Sequence, residues 1–324
     1  MQSTIAVNAK GPSKHKPLRV HLQEFVRQWD LQLMVIPSII LLFIFMYIPM
    51  YGLLMAFQNY KLGDIPGFSS WAGLTHFKML FNSPDFFTIM RNTFGMTLLK
   101  LVINFPIPII LALLLNEVRA RHFKGVVQTI SYLPHFVSWV VVAGLTFDFL
   151  SVDGGMLNTL LMNLHLITEP INFIGKTDYF WQIVVTTDLW KELGWNAIIY
   201  ISAISSIDQV LYEAAEIDGA GRFRKMWHIT LSGIKPTIII LLILAVSNLL
   251  NAGFEQIMLL TNNLANTTVQ DVSEVLDTYV YRTGISQMRY SYATAAGLFK
   301  SIVSVALLTG ANYIARFLGE ESLW

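Results

Sequence analysis

The sequence predicts an all-α integral membrane protein with about six transmembrane helices and a short surface helix between the fourth and fifth. Three observations predict it. Of 324 residues, 54% are apolar and only 13% are charged, where a soluble domain carries roughly 25% charged residues. Apolar stretches of about 20 residues, the length that crosses the hydrocarbon core, recur along the chain. Lysine and arginine collect in alternate connecting segments, the pattern of cytoplasmic loops. The net charge is +1 and there is no cysteine. The balance gives no ground for nucleic-acid binding, and disulfides, thiol catalysis and cysteine metal sites are excluded.

Residues 1–30 read as a polar cytoplasmic tail with Lys10, Lys14, Lys16, Arg19 and Arg27. The apolar run that follows is too long for the core of a cleavable export signal. Residues 31–324 read as the transmembrane domain. Its first span, near residues 31–57, contains no Asp, Glu, Lys or Arg, and Pro37 and Pro49 are expected to bend it. A second span is expected near 92–115, with Pro106 and Pro108 inside, and a third near 126–147, with Pro134. A fourth lies near 180–205 and is the least apolar. A fifth covers about 237–260 and a sixth about 293–315. The alternative is a different span count, reached by missing the weak fourth span.

Orientation follows the basic residues. Arg119, Arg121 and Lys124 follow the second span, and Arg222, Arg224, Lys225 and Lys235 lie between the fourth and fifth. Residues 151–179 carry Lys176 alone against Asp153, Glu169 and Asp178. This bias puts both termini in the cytoplasm. In the sixth span Ala293, Gly297 and Ser301 recur at four-residue intervals. That spacing permits close helix approach, either to a partner subunit or within this chain.

Residues 208–236 form the expected surface segment. Asp208 is an N-cap for a helix through Ile217, and Gly219 and Gly221 break that helix. A second short helix runs from Arg222 to about Leu231, and Pro236 precedes the fifth span. The segment is too short and too charged to cross a bilayer. Ala214 and Ala215 leave one helix face flat, and Gly219 supplies a turn that other residues strain to make. Physics alone also allows an ordinary amphipathic loop.

Polar residues inside spans are expensive, so they face a cavity, a partner or one another. Asp188, Lys191, Glu192 and Trp195 fall on roughly a quarter to a third of one helix circumference. Asn248, Asn251 and Glu255 do the same on the fifth span. An aromatic ring beside amides and carboxylates suits a sugar, the ring covering an apolar face while polar groups bond hydroxyls. These residues either line a solute pathway or satisfy each other between helices. Lys100 and Lys300 are expected to snorkel toward an interface. His135 beside Pro134 is expected to be packed and neutral. Gly175-Lys176-Thr177 mimics the end of a phosphate-binding loop, but that loop needs glycine at position 170, which is Pro170.

Glu213-Ala214-Ala215, with Gly219 four positions later and then Ile229 and Leu231, resembles the EAA loop of binding-protein-dependent ABC importer permeases. Ser232 stands where that family usually has proline, which leaves the start of the fifth span open. Trp190-Lys191-Glu192-Leu193-Gly194-Trp195-Asn196 is similar to carbohydrate-importer permeases. So are Asp277-Thr278-Tyr279-Val280-Tyr281-Arg282 and Asn312-Tyr313-Ile314-Ala315-Arg316. They point to the branch handling oligosaccharides and polysaccharide fragments such as alginate.

The resemblance implies a bacterial inner-membrane subunit of an ATP-driven importer, working by alternating access. It implies a second, related permease, two cytosolic ATPase subunits that bind ATP and Mg, and an extracytoplasmic solute-binding protein. It implies that Glu213, Ala214, Ala215, Asp218 and Gly219 couple this chain to an ATPase. It places Trp195, Asn248 and Asn251 near the positions where maltose-type permeases hold sugar. The chain itself is then no enzyme and holds no cofactor or metal. An ion-coupled secondary transporter or a non-transporting receptor subunit would need no such coupling loop.

Overall fold

The computed structural model describes residues 28–324. The basic tail residues Lys10, Lys14, Lys16, Arg19 and Arg27 lie outside them. Among the described residues there is no β-strand, only an isolated antiparallel bridge between Gln58 and Trp71. The chain divides into two units, residues 1–54 and 55–324.

The first unit holds most of helix α1, Trp29–Phe57, with a mean hydropathy of 2.5. Pro37 sits inside it without interrupting it. Before Pro49 the turns widen to a π-helical segment, Phe43–Tyr47, and after it they tighten to a 3-10 segment, Tyr51–Phe57. Proline has no N–H to donate, and a change of hydrogen-bond register absorbs that loss.

The second unit runs through α2 (Thr75–Phe81), α3 (Asp85–Glu117), α4 (Arg121–Phe136), α5 (Trp139–Leu150), α6 (Met156–Asn163) and α7 (Thr177–Ser205). It continues through α8 (Gln209–Ile217), α9 (Arg222–Gly233), α10 (Lys235–Ser247) and α11 (Phe254–Leu260). The last elements are α12 (Gln270–Ser273), α13 (Leu276–Tyr281) and α14 (Tyr290–Phe317). Helices α3 and α7 run side by side in the same direction, Met96 sharing a cluster with Phe180 and Val184, and further along both helices Ala112 with Ala197. Met96, Phe180, Val184 and Ile257 share one buried cluster, and Ile109, Ala112, Ala197, Tyr200 and Ile234 share the next. A third cluster joins Leu80 and Ile89 to Leu276, Tyr279 and Tyr292. Only 22% of the apolar window of α3 and 17% of that of α14 is buried inside the chain. The remaining apolar surface needs a non-aqueous surrounding, as a bilayer or a partner helix supplies.

Among the described residues, three helices can cross a membrane by length and composition, α1, α3 and α14, or five when each of two bent pairs counts as one span. Helix α7 has 29 residues, about 44 Å at helical rise, but its charged residues keep it out of that set.

Two expected spans depart from a simple helix. The third is broken: α4 and α5 meet at 102°. Pro134 ends the α-helical ladder in a 3-10 turn, Leu133–Phe136, and Ser138 restarts it by accepting from Val141 N–H at 3.4 Å. The fifth ends early. Helix α10 stops at Ser247, residues 248–253 are non-helical, and Gly253 has φ +98° before α11 begins. In the sixth span Ala293 is buried, while a Cβ on Gly297 would meet open space. The small-residue stripe is therefore used within the chain at its first position and left free at its second.

Candidate functional site

The interruption after α10 opens a cleft of about 290 Å³ between α3, α7 and α10. Lys100, Asn104, Asn196, Tyr200, Asn248 and Asn251 are among its lining residues. A continuous helix would also keep Asn248 and Asn251 on one face, three residues apart. Here they sit in a turn closed by Asn251 N–H donating to Asn248 O at 2.8 Å, and both are exposed. Amides beside an aromatic ring can bond hydroxyls and cover an apolar sugar face.

The polar residues of α7 divide between two neighbours. Asp188 turns to α3, where it accepts from Lys100 Nζ at 2.9 Å and from Asn104 Nδ2 at 2.7 Å. Lys191 and Glu192 turn to the last turn of α4. Lys191 is buried, donates to His135 O at 2.5 Å, and lies 5.6 Å from the Trp139 ring centroid. Glu192 Oε2 lies 2.7 Å from His135 Nδ1, and its Oε1 lies 3.6 Å from Lys191 Nζ. Trp195 stacks on His135, centroids 4.2 Å apart and planes 2° apart. These groups bind the bend between α4 and α5 to α7. The cleft thus gathers Asn248 and Asn251, with Asp188 at its end through Lys100. Lys191, Glu192 and Trp195 lie on another face of α7, and Glu255 stands exposed in the first turn of α11.

Lys100 and Lys300 do not snorkel. Lys100 turns inward, its side chain 14% exposed, and Lys300 pairs with Asp277. An inward acceptor set outcompetes the interface for an ammonium. The signal available was Thr97, Lys100 and Asn104, spaced three and four apart on one face of the second span.

The motif residues of α13, with Arg282 just after it, brace the start of α3 and α14. Asp277 holds Lys300 of α14, and the hydroxyls of Tyr279 and Tyr292 share a hydrogen bond of 2.6 Å. Arg282 clasps Glu274 through two hydrogen bonds, of 2.5 and 3.0 Å. Burial works against its charged form. The Glu274 bond and charge, helped by Asp85 and Tyr279, outweigh burial and raise the Arg282 pKa above its ordinary value.

Helix α8 is capped at both ends by its own sequence. Asp208 Oδ1 accepts from Val210 N–H at 3.0 Å. At the other end Ala220 N–H donates to Ala215 O at 2.8 Å and Gly219 N–H to Glu216 O at 3.0 Å, with Gly219 at φ +75°. That pair of bonds is a Schellman motif, for which glycine is the unstrained residue. Glu213, Ala214, Asp218 and Gly219 are exposed, and Ala215 is half-buried. Ile217 is 88% exposed, unusual for an isoleucine facing water. Behind this face, Tyr212 and Thr230 share a hydrogen bond of 2.9 Å, and Lys225 pairs with Glu216 at 3.2 Å. Arg222 reaches the end of α3, 3.3 Å from the Glu117 carboxylate and 3.1 Å from its carbonyl. These contacts join α8 to α9, and α9 to the end of α3.

Residues 104–320 match the family described as binding-protein-dependent transport system inner membrane component. The chain belongs to this family. The permease is 49% identical to Protein LplB of Bacillus subtilis (strain 168) over 91% of each chain. It is 46% identical to the polygalacturonan/rhamnogalacturonan transport system permease protein YteP of the same organism, covering 98% of this chain and 97% of that one. Among solved structures it resembles a chain of a bacterial alginate ABC transporter in complex with an alginate pentasaccharide-bound periplasmic protein. The TM-score there is 0.83 at 38% identity, covering 93% of this chain and 99% of that one. As an ABC transporter permease, the chain is a transport subunit and not itself an enzyme.

Proposed function

We propose that this permease forms, with a second and related permease, the pathway of an ATP-driven importer for fragments of acidic polysaccharides. Six spans carry it through a bacterial inner membrane with both termini in the cytoplasm, α7 being the fourth. The observation that carries the cargo class is the agreement of two relatives over almost the whole chain. One is named for polygalacturonan and rhamnogalacturonan, the other for alginate, and all three polymers contain uronic acids. An extracytoplasmic binding protein delivers the fragment. Two ATPase subunits, which bind ATP and Mg, close on nucleotide and move α8 through Glu213, Ala214, Ala215, Asp218 and Gly219. Movement of the spans then alternates access to the cleft. Asn248 and Asn251 bond cargo hydroxyls there, Asp188 holds the end of the cleft, Lys191, Glu192 and Trp195 act from another face of α7 by bracing the bend between α4 and α5, and the exposed Glu255 lines the approach.

Liposomes holding the complete complex, with binding protein outside and ATP inside the nucleotide compartment, test the cargo. Oligogalacturonides or alginate oligosaccharides accumulate and neutral glucans do not. Accumulation of neutral glucans alone would reject the acidic class. The double variant Asn248→Ala/Asn251→Ala lowers uptake by about tenfold, since each amide bond to a hydroxyl contributes roughly 0.5–1.5 kcal/mol. ATPase assembly stays intact, and unchanged uptake removes both residues from the path.

A further inference from the structure

Lys100 is the cation of the cleft wall, and its bonds leave nothing for cargo. An ammonium has three donors. Lys100 Nζ donates to Asp188 Oδ1 on α7 at 2.9 Å, to Ala252 O in the interruption at 3.1 Å, and to Gln256 Oε1 on α11 at 2.9 Å. Its charge is matched by Asp188, whose second oxygen is held by Asn104.

These bonds answer a need created by the interruption. Residues 248–253 have left the helix; Asn248 O and Gly253 O find backbone donors in Asn251 and Ile257, while the carbonyls between them lose their helical donors in a setting where unsatisfied backbone is expensive. Helix α3 supplies replacements. Thr97 Oγ1 lies 2.7 Å from both Leu249 O and Thr93 O of its own helix, so its one proton is shared between them, while Lys100 donates to Ala252 O. Gln256 extends the tie by donating to Val184 O at 2.7 Å and to Thr187 Oγ1 at 2.8 Å, both on α7. The fit is close. A Cβ on Gly253 would lie 3.1 Å from Gln256 Oε1 and 3.3 Å from Lys100 Nζ.

We infer that Lys100 is a positioning residue of the transport path. It fixes the interruption so that Asn248 and Asn251 face the cleft, and it joins α3, α7 and α11 into one body at the end of that cleft. It acts as half of a neutral pair, so this wall reads the hydroxyls of a cargo and not its carboxylates. The inference rests on the cleft being the cargo path, but the position of the interruption can be measured without any cargo.

The chain has no cysteine, so Asn251→Cys adds a single thiol to it. In the assembled complex, built with cysteine-free partners and without cargo, a water-soluble maleimide labels that thiol on this chain. Lys100→Met slows labelling by about fivefold, the factor carried by one lost hydrogen bond. Lys100→Met/Asp188→Asn removes the stranded carboxylate, so the fold is kept, and labelling stays slow because Ala252 O has still lost its donor. Labelling of the double variant at the parental rate overturns the proposal. So does parental labelling combined with selective loss of acidic-cargo uptake, which would make Lys100 a cargo-binding cation. If the parental complex imports no acidic oligosaccharide, the cargo assignment fails while the labelling result still decides the role of Lys100.

Discussion

Glu213→Arg abolishes ATP-driven uptake while the permease inserts and folds normally. The residue is exposed on α8 and makes no ion pair or hydrogen bond among the described residues. A surface substitution of that kind changes stability by about 0.5 kcal/mol or less. Helix α8 keeps its Asp208 cap and its Schellman turn, and neither involves the Glu213 side chain. Where the ATPase presents a cation to Glu213, the same change is severe, because like charges brought together cost several kcal/mol. Uptake and cargo-stimulated ATP hydrolysis fall at least about tenfold, matching a loss of about 1.4 kcal/mol or more, with the melting temperature in detergent unchanged. Tyr212 to Thr230 connects the helix to α9, and Arg222 of α9 to Glu117 carries on to the end of α3, which is the route a docking force would take. Normal uptake by a correctly inserted Glu213→Arg complex would leave α8 without a coupling role.

What the sequence made legible was local. Asp208 and Gly219 announce the ends of α8 because capping is set by residues within one turn of each end. The apolar stretches announce α1, α3 and α14 because lipid selects composition directly. What stayed hidden depends on groups far away in the chain. Pro134 marks a weak point in the third span, but the 102° bend is held by Lys191, Glu192 and Trp195 of α7. Hydropathy carries α10 straight through residues 248–253, since a turn there becomes affordable only once Thr97 and Lys100 of α3 satisfy its carbonyls. The polar arc of α7 was visible as an arc. Its destinations were not, because Asp188 and Glu192 share a face yet meet different helices. Helical spacing gives direction from the axis and says nothing of which neighbour waits there.

Gly194→Ala strongly destabilises the permease. An ideal Cβ at Gly194 would lie 2.1 Å from Ser131 O, 2.3 Å from Ser131 C and 2.8 Å from Tyr132 N. All three are backbone atoms of α4, so no rotamer change relieves the clash. Either α4 moves away from α7 by more than an ångström or the helices part. Both outcomes pull His135 off Trp195 and lengthen the Lys191 bond to His135 O. Overpacking costs typically 1–3 kcal/mol, and rigid backbone on both sides puts this site near the upper end. The apparent Tm in detergent therefore falls by about 5 °C, taking the lower end of the roughly 2–4 °C per kcal/mol that holds for domains of 150–250 residues. Gly310→Ala is the control. It lies within α14, a Cβ there meets open space, and alanine is the better helix former by about 1 kcal/mol, so its Tm holds or rises. Equal melting of the two variants would mean that α4 does not touch α7 at Gly194, and with that contact would go the brace that sets the bend in the third span.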